Sequence, residues 1–297
     1  MSRTLLIVHH ENATIDKFNP YMLDLMRPEW ERTGWTAFDV MGCSRRVPAD
    51  VAFLHVDLSR VPESYQDFAA GYPIVINGNV NDIRKTSHSH NRVVPGDGFE
   101  GPVIVKTALN FAGILERNYQ YRRWSVRGVL ARRGIRVLGS VVPDYPYPIR
   151  GKQDYWVYSS VRQVPAVVFA CPDLIVERFL PEMHGGRYCL REWYFFGNVS
   201  VNHVELSDDP ILTFGEAAPH LSEPTPPKLF QLRRELGMHY GKIDYAMRDG
   251  KVVLFDINKT VGTRHPPTKR GKALGATLAK GLRSIVEGKA GRGETFS

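Results

Sequence analysis

The stretch that decides the fold reads Ile243-Asp244-Tyr245-Ala246-Met247-Arg248-Asp249-Gly250-Lys251-Val252-Val253-Leu254-Phe255-Asp256-Ile257-Asn258. Two β-prone apolar runs flank Asp249-Gly250, a strong short-range hairpin signal. Asp256 and Asn258 are two apart and project from one sheet face. The turn decides whether Asp244 joins them. A two-residue turn pairs Arg248 with Lys251, hence Asp244 with Phe255, and puts Asp244 on the other face. A three-residue loop with Gly250 in a left-handed bulge pairs Met247 with Lys251 and sets Asp244 opposite Leu254, on the face of Asp256 and Asn258. Magnesium takes hard oxygen ligands and is usually held by one or two carboxylates plus substrate phosphates. Asp244, Asp256 and Asn258 fit that need, and their charge on a buried face is costly without a cation. A metal site there requires the three-residue loop; otherwise Asp256 and Asn258 merely end the strand, where both residue types are favoured.

Before the hairpin, a helix is expected after Pro226-Pro227, with Leu229, Leu232 and Leu236 as its apolar stripe and Gly237 as its stop. After it, one last helix is expected through Leu274, Leu278, Leu282 and Ile285, then a loose tail. Further upstream, strands are expected at 103–106, 155–159, 166–170, 174–179 and 191–196, and the prolines of 143–148 require extended chain. The first part of the chain alternates apolar runs (5–8, 51–56, 72–77) with helical stretches near Met22–Trp30 and after Pro62, the order of a small parallel sheet. The expected class is α/β, with α+β character in the C-terminal part. The expected organisation is an N-terminal α/β unit over 1–95, a second domain over 96–288 with a hinge near 177–182, and a flexible tail over 289–297.

With 297 residues, 43% of them hydrophobic and 24% charged, the composition is that of an ordinary globular protein. No apolar stretch approaches the roughly 18 residues of a membrane span, and the short apolar run ending at His9-His10-Glu11 reads as a buried strand rather than a signal peptide. Cys43, Cys171 and Cys189 form no CxxC pair, which fits a reducing cytoplasm. The net charge of +8 is uneven: 117–136 holds seven arginines and no acid, and 259–292 holds nine Lys or Arg against Glu287 alone. Such runs are commonly solvated faces; they also suit an anionic ligand such as a nucleotide and an acidic substrate. Tyr119, Tyr121 and Trp124 among the arginines offer a stacking surface for single-stranded nucleic acid, a secondary reading. His9-His10, His88, His90 and His265 read as locally hydrogen-bonded residues rather than metal ligands. No Walker, HExxH or GxSxG motif is present.

Several segments in order resemble an ATP-grasp enzyme over roughly 72–265, with the preceding unit resembling the small α/β domain common before that fold. Asn77 to Lys85 resembles the segment ending in the first nucleotide lysine, and Pro102-Val103-Ile104-Val105-Lys106 the strand bearing the second. The run Leu174 to Glu182 resembles the hinge between the subdomains that clamp ATP, and Tyr188 to Asn198 the strand and turn after it. The spacing of Asp244, Asp256 and Asn258 resembles the peptide-ligase branch that includes the ribosomal-protein glutamate ligases. The resemblance implies ATP and Mg2+ (with Mn2+ as a substitute), Lys85 and Lys106 on phosphates, Glu177 and the backbone of Phe179 at adenine, Glu182 at the ribose and Arg191 as a catalytic cation at phosphate or acyl phosphate. Two departures stand out: Thr107–Gly113 has one glycine where a glycine-rich phosphate lid is usual, and Asp256 stands where the family more often has Glu.

The activity so implied is carboxylate–amine ligation through an acyl phosphate, on a small-molecule or peptide substrate of anionic character. An ATP-grasp kinase acting on a hydroxyl and a non-catalytic nucleotide-binding regulator are the alternatives. The sequence names neither substrate and gives no oligomeric state.

Overall fold

Leu5 to Val8 is apolar at every position, and a strand of that kind must be buried on both faces. A computed structural model, which describes residues 3–14, 21–119, 154–212 and 215–290, shows this. Strand β1 (Arg3–His9) lies in parallel between β2 (Trp35–Met41) and β3 (Val51–Leu54), and β4 (Ile74–Ile76) completes the order β2-β1-β3-β4. Leu5, Ile7, Val51 and Phe53 pack with helix Met22–Arg32. Leu6, Val8, Ala52 and Leu54 pack on the other face with helix Glu63–Ala70. The chain therefore winds away from β1 to one side and from β3 to the other, so the strand order reverses between those two strands. The arginines beyond Tyr119, the prolines of 143–148 and the tail from 291 lie outside the described residues.

The rest is antiparallel. Strands β5 (Val103–Thr107), β6 (Trp156–Tyr158) and β7 (Leu174–Arg178) form a small sheet in the order β6-β5-β7. A larger sheet runs β11-β10-β9-β12-β13, from Glu216–Ala217 (β11) and Val199–Ser207 (β10) through Arg187–Phe196 (β9) and Tyr240–Arg248 (β12) to Lys251–Asn258 (β13). Glu182–His184 (β8) pairs with β9 off this path. Trp193, Phe195, Ile243, Tyr245 and Ile257 fill one face against Leu229 of helix Pro227–Glu235. Phe196 and Tyr240 join the core of the parallel sheet. The mixed α/β and α+β class expected from the sequence is thus observed.

Two elements differ from expectation. Residues 166–170 form a short helix after Pro165, not a strand: a short apolar run has no period to separate the two, and Val168 turns inward while Val167 stays exposed. The last helix is two, Lys269–Ala279 and Gly281–Ala290. The chain breaks where Gly281 presses on the end of β9, since a Cβ there would overlap the Phe196 carbonyl.

Asn77, just after β4, ties the two halves together. Its φ of +58° lies in the left-handed region that Asn tolerates. Its Oδ1 accepts the amides of His239 (2.9 Å) and Tyr240 (3.1 Å), and its Nδ2 donates to the Tyr240 carbonyl (2.9 Å). Removing the side chain strands buried backbone groups at about 1–3 kcal/mol each. Asn77→Ala is expected to lower stability by about 3 kcal/mol in urea unfolding, with unchanged slope; a loss under about 1 kcal/mol means these bonds do not hold the junction.

Candidate functional site

The hairpin makes the short turn. Asp249 and Gly250 both have positive φ (+51° and +72°), and Arg248 pairs with Lys251. The three-residue loop that the metal site was expected to require is not formed, because Asp-Gly readily takes the left-handed pair whose twist suits a hairpin. Asp244 nevertheless faces Asp256. The register is Tyr245 to Leu254 and then Asp244 to Asp256, so Phe255 is the extra residue of a β-bulge that shifts the pairing by one. Opposed residues share a face. Asp244, Asp256 and, two residues on, Asn258 are thereby brought together, with Glu192 of β9 opposite Asp244 on its other side.

Both carboxylates are buried, Asp244 at 1% exposure and Asp256 at 8%, so each needs countercharge. Lys85 Nζ lies 2.9 Å from Asp256 Oδ1. Burial favours the neutral amine, but Asp256 outweighs it and holds the Lys85 pKa above its ordinary value. Lys242 Nζ sits 2.9 Å from Asp244 Oδ1 and 2.7 Å from Glu192 Oε1. Its pKa too is raised well above normal, burial being overcome by Asp244 and Glu192. Lys242 escaped the sequence reading; its place two residues before Asp244, hence on the same face, was the available signal. Lys106 forms a buried ion pair with Glu177 and donates to the carbonyl of the bulge residue Phe255 at 3.2 Å.

Lys85, Lys106, Glu177, Phe179, Asp244 and Asp256 line one cleft, about 740 Å³ counting its open mouth. Ile104, Leu190 and Leu254 give it apolar walls. Asn258 is not in that lining; beside it Asn110 Nδ2 donates to the Ile257 carbonyl (2.8 Å) and approaches Asn258 Oδ1 (3.4 Å). Asn110 begins the turn read as a one-glycine lid. There Phe111, Ala112 and Gly113 all take positive φ, and Phe111 stands 70% exposed.

Glu182 and Arg191 are placed differently from their expected roles. Arg191 shares its face of β9 with Cys189 and Trp193, so it points to the sheet face opposite Glu192 and Asp244. It binds Glu182 through Nε (2.8 Å) and Nη2 (2.7 Å), and Glu182 also accepts the Met247 amide at 2.8 Å. Burial alone would raise the Glu182 pKa, but Arg191 and that amide hold it below the usual carboxylate range. The structure joins these two residues to each other and brings neither into the lining of the cleft. Their odd spacing from the cleft residues was legible, but not which face of β9 turns inward.

Among the described residues no group of three or more His, Cys, Asp or Glu forms a metal cluster. The candidate set is two carboxylates with an amide, and it already tolerates cationic nitrogens at 2.9 Å. No protein-family model and no curated protein matches the sequence. Solved structures with similar backbones include the RimK domain protein ATP-grasp of Sphaerobacter thermophilus, at 10% identity and TM-score 0.49, covering 95% of this chain and 98% of that one. Others are the macrocyclase MdnB of Microcystis aeruginosa (11%, 0.42, 97% and 98%) and an ATP-complexed D-alanine–D-alanine ligase of Bacillus anthracis (9%, 0.42, 98% and 100%).

Breaking a buried ion pair from one side costs about 3–5 kcal/mol, because the other charge is left without its partner. Lys106→Met and Glu177→Gln should each destabilise on that order, and the double variant by clearly less than their sum. Additive losses in urea unfolding would show that the two groups do not neutralise each other.

Proposed function

We propose that this protein is an ATP- and magnesium-dependent ligase of the ATP-grasp type, joining a carboxylate to an amine through an acyl phosphate. The observation that carries the reading is the bulge at Phe255, which sets Asp244 opposite Asp256 in the cleft that also holds Lys85, Lys106 and Glu177. Hard oxygen donors on one rigid face, with lysines beside them, are the chemistry a metal–triphosphate needs.

Asp244, Asp256 and Asn258 would hold the magnesium, which when bound would supply positive charge beside the triphosphate. Lys85 and Lys106 bind the phosphates; both ammoniums are already buried beside the cleft. Glu177 and the Phe179 backbone take the adenine edge, and Ile104, Leu190 and Leu254 exclude water from its faces. Lys242, which shares its sheet face with Asp244, would take the role of steadying the acyl phosphate that the resemblance gave to Arg191. Glu182 and Arg191 brace β8 against β9. In the second step the amine nitrogen attacks the acyl carbon: the C–N bond forms, the C–O bond to phosphorus-bound oxygen breaks, phosphate leaves and the amine gives up a proton. Positioning and electrostatics carry the acceleration. The domain limits at 95 and 288, an anionic first substrate and a cytoplasmic setting belong to the same proposal; no helix among the described residues is long and apolar enough to cross a membrane.

The test is ATP titration with and without magnesium, for wild type and for Asp256→Asn combined with Asn258→Ala. Wild type should bind at least about tenfold tighter with magnesium, and the double variant should lose that gain while its magnesium-free affinity stays within about threefold. A variant that keeps the full magnesium effect would overturn the metal assignment.

A further inference from the structure

The parallel sheet has a second polar site that the nucleotide cleft does not use. In open α/β sheets, ligands bind outside the carboxyl ends of the strands where the strand order reverses. Here that point lies between β1 and β3, and His9 ends β1 while His55 follows β3. A narrow cavity opens there, lined by His9, Tyr21, Asp24, His55, Asp57 and Tyr119.

His55 is the telling residue. It is 1% exposed, it borders the cavity, and neither ring nitrogen has a hydrogen-bond partner among the described residues. Burial holds its pKa well below normal, so the ring is neutral and one nitrogen is an acceptor. Around it the carboxylates outnumber the cations. Asp39 is satisfied by Arg27 (2.7 Å) and His9 (2.9 Å). Lys259 donates to the Val56 carbonyl and offsets Asp57 in part. Among the described residues Asp24 accepts a backbone amide, from Tyr21 at 2.8 Å, and Arg27 and His9 offset its charge in part. Asp57 accepts hydroxyls from Tyr21 (2.6 Å) and Thr260. Burial raises the pKa of both Asp24 and Asp57, so both gain from a further cation. An acceptor nitrogen and two desolvated carboxylates ask for a ligand that carries N–H donors and positive charge.

We infer that the cavity between the carboxyl ends of β1 and β3 binds a primary ammonium group, held by His55, Asp57 and Asp24. The position ties it to the cleft. Thr260, which bonds Asp57, is two residues past Asn258, at most about 7 Å of extended chain. Under the ligase reading, on which this step rests, the ammonium belongs to the acceptor amine. The two substrates then meet opposite charges: lysines at the phosphates, carboxylates at the amine.

The experiment follows histidine ring signals in protein labelled with 15N-histidine, His55 being identified by the signals lost in His55→Phe. Propylammonium chloride should shift the His55 signals saturably, whereas tetramethylammonium, a cation without N–H donors, and propionate should not. Asp57→Asn should weaken propylammonium binding about tenfold or more. Should that variant not fold, Asp24→Asn, which keeps an acceptor for the Tyr21 amide, should weaken it in the same direction. Glycinamide and Nα-acetyl-lysine amide serve as further arms. A tighter response to the first points to a free α-amine, and to the second to a side-chain amine. No saturable shift with any amine, or an equal shift with tetramethylammonium, leaves the cavity a water site and overturns the inference. The readout uses neither nucleotide nor turnover. Failure here leaves the magnesium–ATP assignment standing, and loss of the magnesium effect leaves amine binding standing.

Discussion

Asp244 and Asp256 are carried into the protein on one face of a hairpin, and the charge they bring must be balanced where they stand. Two buried carboxylates side by side repel each other and have given up water. Lys85 reaches Asp256 from the segment after β4, and Lys242 reaches Asp244 from the same strand. Lys106 closes the arrangement from the small sheet, on Glu177 and the bulge carbonyl. Three separate elements are thus held at one point by charge, and the cleft is the space left among them.

That geometry depends on a local irregularity. With a short turn and a regular ladder, Asp244 would lie on the apolar face with Ile243 and Tyr245 displaced outward. The bulge at Phe255 restores the register for the last three pairs and leaves the Phe255 carbonyl to receive Lys106. Beyond the strand's end at Asn258 the chain runs on through Lys259 to Thr260, which bonds Asp57. A second bridge passes from Asn110 to Ser59 (2.8 Å) and from Ser59 to Glu116 (2.6 Å). The cleft and the cavity at His55 are therefore joined by a continuous piece of polar structure.

Much of this was legible in the chain. Leu5 to Val8 could only be a strand buried on both faces, and Gly237 could only end a helix whose stripe stops at Leu236. Lys106, Glu177, Asp256 and Asn258 were visible because charged or polar residues at those points of apolar strands have a cost that needs a reason. Residues 166–170 misled because five apolar residues carry no period. The final helix misled because its break answers to Phe196, some eighty residues earlier in the chain, and no local propensity reports that contact.

The sequence by itself determined the class of fold, the hairpin and the identity of the charged groups that line the cleft, since periodicity and desolvation cost are properties of nearest neighbours along the chain. Tertiary structure alone decided which of them meet. It put Asp244 opposite Asp256 through a bulge no turn rule foresees, sent Arg191 to the far face to hold Glu182, and set Lys242 between Asp244 and Glu192. It also set His55 beside Asp57 at the reversal of the sheet. Register and face are relations between strands, and a single residue of slip exchanges one side of a sheet for the other.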